Sequence, residues 1–142
     1  MTIWKTPVSL EDLHVRCHNT MVSHLKIAFT EIGDDYLKAT MPVGPHVMQP
    51  MGIMHGGASC ALAETVASAA ANYCIDPKTH YCVGVDINTN HIRAAKTGVL
   101  TATAKPYHLG KLTQVWSIEI HDDQNNLISV SRLTLIALKK DK

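Results

Sequence analysis

The feature that most constrains the fold of this chain is a run of small residues near its middle. Residues 56–71 read GGASCALAETVASAAA, and alanine favours the helix more strongly than any other residue. The pattern therefore predicts one long helix that begins at Gly56, extends to about Tyr73 and ends before Asp76 and Pro77. Because almost every face of this helix is apolar, other elements have to cover most of it.

Alternating apolar and polar residues predict strands on both sides of the long helix. A Ser9 cap predicts a short first helix to about His18, and residues 33–35 predict the turn of a hairpin. The predicted strands are residues 25–32, 36–43, 81–93, 98–105, 112–120 and 127–138. This order indicates a single α+β domain over residues 1–142, with an antiparallel sheet wrapped around the long helix. Such a sheet leaves an exposed edge with which a second subunit can pair.

The alternation also predicts which side chains share a face of their strand. One predicted set is Tyr81, Val83, Val85 and Ile87. A second set, on the strand over residues 112–120, is Leu112, Trp116, Ile118 and Ile120.

The charge balance argues against a broad electrostatic attraction to nucleic acids or anionic membranes. The chain carries 13 basic and 12 acidic residues, a formal net charge of +1. Its first residues lack the pattern of a secretory signal, and no apolar run approaches the roughly 20 residues that span a bilayer. We therefore expect a cytoplasmic protein with reduced thiols, no metal site and no cofactor. The cysteines, which lack zinc-type spacing, are Cys17, Cys60, Cys74 and Cys82.

Glu64 is the anomaly in the long helix. The neighbours on its helical face include no cation: Gly57, Cys60, Ala61, Ala67, Ser68 and Ala71. A carboxylate on an apolar face loses hydration at a high cost, so Glu64 is a candidate catalytic group. The alternative is an ordinary glutamate at an exposed edge of the helix.

Three residues at the start of the same helix, His55, Gly56 and Gly57, are a candidate anion site. Glycines let a ligand approach the backbone closely, and the free N–H groups of a helix N-terminus attract negative charge. An oxyanion hole for attack on a thioester carbonyl has the same requirement. The alternative is a loop-to-helix turn that needs glycine for its shape alone.

The distance between Gly56 and Glu64 limits how they can act together. Eight residues along a helix span about 12 Å, too far for one carbonyl group to touch both. If both act on one substrate, they come from different chains. Two antiparallel helices packed side by side bring Gly56 to the partner's Glu64, so the spacing predicts a homodimer with active sites at its interface.

Two basic clusters are candidates for contact with an anionic ligand. His91 and Arg93 continue the face of Val85 and Ile87 at a strand end, where cations can meet phosphates. Residues 105–110, KPYHLG, offer basic side chains and a glycine backbone for the same purpose. The alternatives are a solvated strand end for the first cluster and an ordinary bulge between strands for the second.

Taken together, these motifs resemble one family. Residues 49–50, 52–59 and 62–64 are similar to the signature of hotdog-fold thioesterases of the phenylacetate-pathway type. Residues 88–93, 105–110 and 114–116 are more similar to the branch of 1,4-dihydroxy-2-naphthoyl-CoA hydrolases and enterobactin-proofreading thioesterases. The resemblance implies the hotdog fold and the hydrolysis of an acyl-CoA with an aromatic acyl group, 1,4-dihydroxy-2-naphthoyl or benzoyl-type, in menaquinone biosynthesis.

The resemblance also implies a role for each motif residue. Glu64 is the nucleophile or the general base that activates water, and the Gly56 amide polarises the thioester carbonyl. Gln49 and His55 orient the thioester, or the water and the leaving thiolate, and Ser68 helps to place the water or the acid. The implied contacts to CoA are His91, Arg93, Lys105, Tyr107, His108, Leu109 and Gly110. The implied assembly is a tetramer of two hotdog dimers.

Two other functions fit the same fold. An enoyl-thioester hydratase or dehydratase has a histidine in the loop ahead of the long helix, where this chain has His55. A non-catalytic CoA-binding protein keeps the fold without the chemistry. The joint presence of Gln49, His55, Gly56 and Glu64 argues against the second alternative.

Overall fold

Three helices and one six-stranded sheet form the described part of the chain, residues 1–141 of a computed structural model; Lys142 of the predicted domain lies outside the described residues. The helices are α1 (Leu10–Arg16), α2 (Met21–His24) and α3 (Gly56–Tyr73). The strands are β1 (Ala28–Ile32), β2 (Leu37–Pro42), β3 (His80–His91), β4 (Val99–Leu109), β5 (Thr113–His121) and β6 (Leu127–Lys139).

The sheet is antiparallel and has the strand order β1-β2-β4-β5-β6-β3. It wraps around α3, which packs against the five strands from β2 to β6. The core lies between them and is built from fully buried side chains of both layers: Leu62, Val66, Leu37, Met41, Leu100, Trp116, Ile118 and Leu133. The predicted α+β architecture with one central helix is confirmed. Within residues 1–141, β3 stands at one end of the sheet and has no strand on its outer side.

Local sequence signals explain where the first helices begin. Ser9 Oγ accepts the Asp12 N–H at 3.1 Å and caps α1, as predicted. The sequence pattern did not predict α2, which a Thr20–Ser23 capping box starts. Leu25 is buried, but it ends α2 instead of beginning the strand predicted over residues 25–32.

The prediction that four apolar residues share one face of β3 is wrong. Of the four apolar residues assigned to one face, only Ile87 packs on the core. The other three are exposed over 41%, 36% and 63% of their surface: Tyr81, Val83 and Val85. A bulge between Gly84 and Asp86 inserts one extra residue, which changes the alternation along the strand.

Leu112 is a second correction. It precedes β5 and is 68% exposed, whereas Gln114 takes the first inward position of the strand. Gln114 Oε1 accepts the indole N–H of Trp116 at 2.9 Å, so this buried amide has a partner inside the core.

Among residues 1–141, no helix combines the length and the apolar character needed to cross a membrane.

Candidate active site

One stripe of α3 faces the edge strand β3. Its members are four residues apart, so each lies about one turn beyond the last. We call the following set the α3 stripe: Gly56, Cys60, Glu64, Ser68 and Asn72. The predicted catalytic residues Gly56, Glu64 and Ser68 belong to this stripe, and His55 directly precedes it.

The first half of the α3 stripe contacts the end of β3. The imidazole of His91 lies against Gly56, where a Cβ atom would come within 2.8 Å of the ring. One turn further, Cys60 Sγ donates to Thr89 Oγ1 at 3.4 Å. His91 therefore sits at the N-terminus of α3, directly beside the glycine that the sequence singled out.

The second half of the α3 stripe contacts the start of β3. Asn72 Oδ1 accepts the Cys82 N–H at 2.8 Å, and Asn72 Nδ2 donates to the Cys82 carbonyl at 3.1 Å. Between this pair and the Cys60 contact, the carboxylate of Glu64 lies against Gly84. The candidate carboxylate is thus held between the helix and the edge strand.

Glu64 is half-buried and has free oxygen atoms. Among residues 1–141 it forms no side-chain hydrogen bond and no ion pair. It lies with Ser68 on the wall of a cavity of about 680 Å³ between α3 and the segment that carries α1 and α2. The apolar part of the wall includes Leu13, Met21, Val22, Phe29, Ala61 and Ala69.

The N-terminus of α3 has one free amide. His55 Nδ1 accepts the Gly57 N–H at 2.8 Å, and the Ala58 N–H donates to the His55 carbonyl at 2.9 Å. Within the described residues the Gly56 N–H has no acceptor. Because Nδ1 of His55 accepts, the ring proton is assigned to Nε2, which is available as a second donor.

Gln49, Gly56, His91 and Arg93 line a second, smaller cavity at the same end of α3. Its volume is about 270 Å³. Gln49 Oε1 accepts the Met51 N–H, which leaves the amide group of its side chain free to donate. β3 ends at His91, so Arg93 lies beyond the strand. The prediction that Arg93 shares a strand face with Val85 is therefore wrong.

The segment from Lys105 to Gly110 lies at the end of β4. Its first five residues are the last five of that strand, which has a bulge between Pro106 and His108. Lys105 forms an ion pair with Asp35 at 3.8 Å. The other members of this candidate cluster, all on or next to β4, are Tyr107, His108, Leu109 and Gly110.

This β4 segment and Gly56 are at opposite ends of α3. Leu109 pairs with Gln114, whose side chain donates to the Ala71 carbonyl at 3.3 Å near the C-terminus of the helix. Fifteen residues of helix separate Ala71 from Gly56, a span of about 22 Å. Within one chain, the two predicted CoA-binding clusters are therefore not brought together.

Gly84 is the residue of this site that the sequence analysis missed. Glycine inside a strand often marks a bulge or a close approach of another group to the backbone, and both occur here. That signal was present in the sequence, but the apolar alternation of its neighbours predicted a regular strand without a bulge.

A metal-dependent reaction has no candidate ligand cluster here. In the part of the chain that the structure describes, no three His, Cys, Asp or Glu side chains come together as metal ligands would.

Burial raises the pKa of the Cys74 thiol to about 12 and also raises the pKa of Cys82, so both side chains stay protonated and pack as small apolar groups.

Comparison with known proteins identifies the family of the chain. The family model of the thioesterase superfamily matches residues 51–129. The chain is 46% identical to the 1,4-dihydroxy-2-naphthoyl-CoA hydrolase of Escherichia coli strain K12, over 96% of this chain and 99% of that protein. It is 43% identical to the proofreading thioesterase EntH of Cronobacter sakazakii, over 96% and 98% of the two chains.

A solved structure extends the comparison to the fold. The crystal structure of thioesterase HI1161 from Haemophilus influenzae matches with a TM-score of 0.94 and 46% identity, and the match covers 97% of this chain and 96% of that chain. Fold and family therefore agree with the resemblance found in the motifs. The chain belongs to the thioesterase superfamily and is a hotdog-fold enzyme that hydrolyses thioesters.

Proposed function

We propose that this thioesterase hydrolyses acyl-CoA substrates with a bulky aromatic acyl group, such as 1,4-dihydroxy-2-naphthoyl-CoA or a benzoyl-type thioester. The observation that carries the proposal is the apolar cavity of about 680 Å³ with Glu64 and Ser68 on its wall. Such a volume suits a ring system or a medium-length chain better than an acetyl group. The 46% identity to a 1,4-dihydroxy-2-naphthoyl-CoA hydrolase supports the naphthoyl substrate and a place in menaquinone biosynthesis.

Two chains contribute to each proposed active site. Gly56 and Glu64 lie on the same α3, about 12 Å apart, so they cannot both touch one thioester. The α3 stripe lies beside β3, whose outer edge is unpaired within the described residues. If the β3 strands of two copies pair across this edge, the two α3 helices run antiparallel, and Gly56 comes near the partner's Glu64.

The same dimer accounts for both CoA-binding clusters. His91 and Arg93 are near the N-terminus of α3, and the β4 segment over residues 105–110 is near its C-terminus. Antiparallel helices bring the N-terminal end of one subunit to the C-terminal end of the other. One CoA can then contact His91 and Arg93 together with residues 105–110 of the partner subunit.

The outer face of the sheet supports a further step of assembly. Tyr81 lies opposite Leu138, and Val83 lies opposite Ile136, and all four side chains are exposed. Adjacent exposed apolar residues of this kind mark association surfaces in soluble proteins. We infer that two hotdog dimers pack through this face to form a tetramer.

The proposed reaction uses the Glu64 carboxylate of one subunit and the Gly56 N–H of the other. The Glu64 carboxylate, or a water molecule that it deprotonates, attacks the carbonyl carbon and forms a new C–O bond. Negative charge then develops on the carbonyl oxygen, where the Gly56 N–H of the other subunit stabilises it. When the tetrahedral intermediate collapses, the C–S bond breaks and CoA leaves as a thiolate. If water attacks, the free acid forms directly, and the proton that Glu64 took from the water passes to the thiolate. If Glu64 attacks, the acyl group stays on its carboxylate as an anhydride, which a water molecule then hydrolyses to the free acid while the thiolate takes a proton from solvent.

The remaining side chains orient the reacting groups. In the proposed mechanism Ser68, which lines the cavity one turn beyond Glu64, hydrogen-bonds the attacking water. The side-chain amide of Gln49 and the Nε2–H of His55 are free donors for the thioester or for the departing sulfur. None of these steps needs a metal or a cofactor, nor do we expect nucleic-acid or membrane partners for a cytoplasmic enzyme with reduced cysteines.

Replacement of Glu64 by glutamine tests the proposed reaction. Glu64→Gln keeps the size of the side chain but can neither attack nor accept a proton, so kcat should fall by about 10²–10⁴-fold. Release of free thiol from the acyl-CoA is the readout, and size-exclusion chromatography should show an unchanged assembly. The matched control is Glu119→Gln on the exposed face of β5, which should leave kcat unaltered.

A substrate panel tests the acyl group. We expect kcat/KM for 1,4-dihydroxy-2-naphthoyl-CoA and benzoyl-CoA to exceed that for acetyl-CoA and palmitoyl-CoA. The same acyl groups on pantetheine separate the contribution of the CoA nucleotide from that of the acyl cavity. A Glu64→Gln variant with near wild-type turnover would remove the proposed chemistry, and a preference for acetyl-CoA would remove the proposed substrate class.

A further inference from the structure

We propose that Gly84 is a positioning residue for the Glu64 carboxylate, because the missing side chain at this point of β3 creates the space in which the carboxylate lies. A Cβ atom built on Gly84 would overlap Glu64 Oε1 and would stand 3.5 Å from Glu64 Cδ. The proposal rests on the proposed function of Glu64 and adds a residue that makes no contact with the substrate.

The distance between α3 and β3 is fixed on both sides of this contact. Towards the N-terminus of α3, Cys60 contacts Thr89 at 3.4 Å. Towards the C-terminus, Asn72 forms two hydrogen bonds with the backbone of Cys82, at 2.8 and 3.1 Å. A side chain at position 84 therefore cannot push the strand away from the helix without breaking these contacts.

No hydrogen bond or ion pair within residues 1–141 holds the carboxylate in place. Glu64 has no side-chain hydrogen bond and no ion pair among these residues, so its resting position depends on packing. The carboxylate is the far end of a flexible side chain, whereas Gly84 belongs to a backbone that is paired with β6 at Leu135. When the two compete for space, the carboxylate moves.

The bulge next to Gly84 explains why the strand brings its backbone so close. The register shifts between Gly84 and Asp86, and bulges bend a strand locally. The bend and the glycine together form a recess on the inner side of β3, opposite the middle of α3. We infer that this recess determines the position from which Glu64 acts on the thioester carbon.

The substitution Gly84→Ala tests this inference in the intact oligomer. The added methyl group displaces the carboxylate by about 1 Å, and a displacement of that size reduces kcat on the order of 10²-fold. KM should stay within about twofold, since the cavities that bind the substrate are not lined by Gly84. The matched control is Gly44→Ala, whose Cβ atom would meet nothing closer than 3.4 Å and which should behave like the wild type.

A second substitution separates positioning from a general loss of structure. Glu64→Asp withdraws the carboxylate from β3 by one methylene group. The fold-loss of kcat that Gly84→Ala causes should therefore be at least about tenfold smaller in the Glu64→Asp background than in the wild type. If Gly84→Ala lowers the melting temperature, Gly84→Ala/Glu64→Ala should melt at the temperature of Glu64→Ala alone, because the side chain that clashes is gone.

The outcomes distinguish this inference from the proposed function. Wild-type kcat in Gly84→Ala, with Glu64→Gln inactive, overturns the positioning role and leaves the reaction intact. An equal loss of activity from Gly84→Ala in both Glu64 backgrounds overturns it as well. Near wild-type activity in Glu64→Gln overturns the proposed function itself.

Discussion

Two reactive groups on α3, the Glu64 carboxylate and the Gly56 N–H, have no hydrogen-bond partner among residues 1–141. Their neighbours differ in this respect. The Gly57 N–H is bound by the His55 imidazole, and Asn72 is fully engaged with Cys82. A half-buried acceptor and a free donor without partners have an unsatisfied hydrogen-bonding capacity that a substrate can satisfy.

Gly56→Pro tests the amide donor at the residue scale. Proline suits the first position of a helix, and His55, with ψ of 130°, already has the extended backbone that a following proline requires. The variant lacks only the N–H and adds ring atoms beside His91. Loss of one oxyanion donor should lower kcat by about 10²–10³-fold.

Gly56→Ala is the matched control for that experiment. It also places a Cβ atom against His91 but keeps the N–H. Steady-state kinetics should show a much higher kcat for Gly56→Ala than for Gly56→Pro. Equal kcat values in the two variants would mean that the amide does not stabilise the transition state.

At the scale of elements, the site is a product of how α3 and β3 are held together. Asn72 saturates the backbone of Cys82, so strand pairing with a second copy has no free groups at that residue. The outer edge from Gly84 onwards remains open. The same hydrogen bonds that fix the helix against the strand therefore also limit the length of the proposed intersubunit pairing.

Asn72→Ala tests this contact. It leaves the Cys82 N–H and carbonyl without their side-chain partner, and two lost hydrogen bonds should lower the free energy of unfolding by about 1–3 kcal/mol. Urea denaturation at a fixed protein concentration measures the change, since assembly makes stability depend on concentration. The control is Gln124→Ala in the exposed β5–β6 turn, and equal midpoints for the two variants would contradict the contact.

The elements could be predicted from the sequence where one local signal dominates. Alanine density located α3, and a Ser9 cap located α1, because helix propensity and capping act within a few residues. The bulge in β3 could not be predicted, since it depends on how the strand fits β6 and α3. The face of Val85 was therefore misassigned, and the role of Gly84 beside Glu64 was missed.

At the scale of the whole molecule, the chain alone is an incomplete enzyme in the proposed account. The motifs predicted the site residues, and the spacing of Gly56 and Glu64 predicted that two subunits share them. Neither the sequence nor a single chain contains the contact between subunits, because that contact depends on a second copy. The open edge of β3 and the positions of the two CoA-binding clusters support the same antiparallel dimer.

Mixing two inactive variants tests the shared site most directly. Glu64→Gln keeps the Gly56 amide, and Gly56→Pro keeps the Glu64 carboxylate, so a mixed dimer contains one intact site and one doubly altered site. Random reassembly of equal amounts makes half of the dimers mixed, so activity should recover to about a quarter of the wild-type value. If each site belongs to a single chain, the mixture stays as inactive as the two separate variants, and the account of a shared site is wrong.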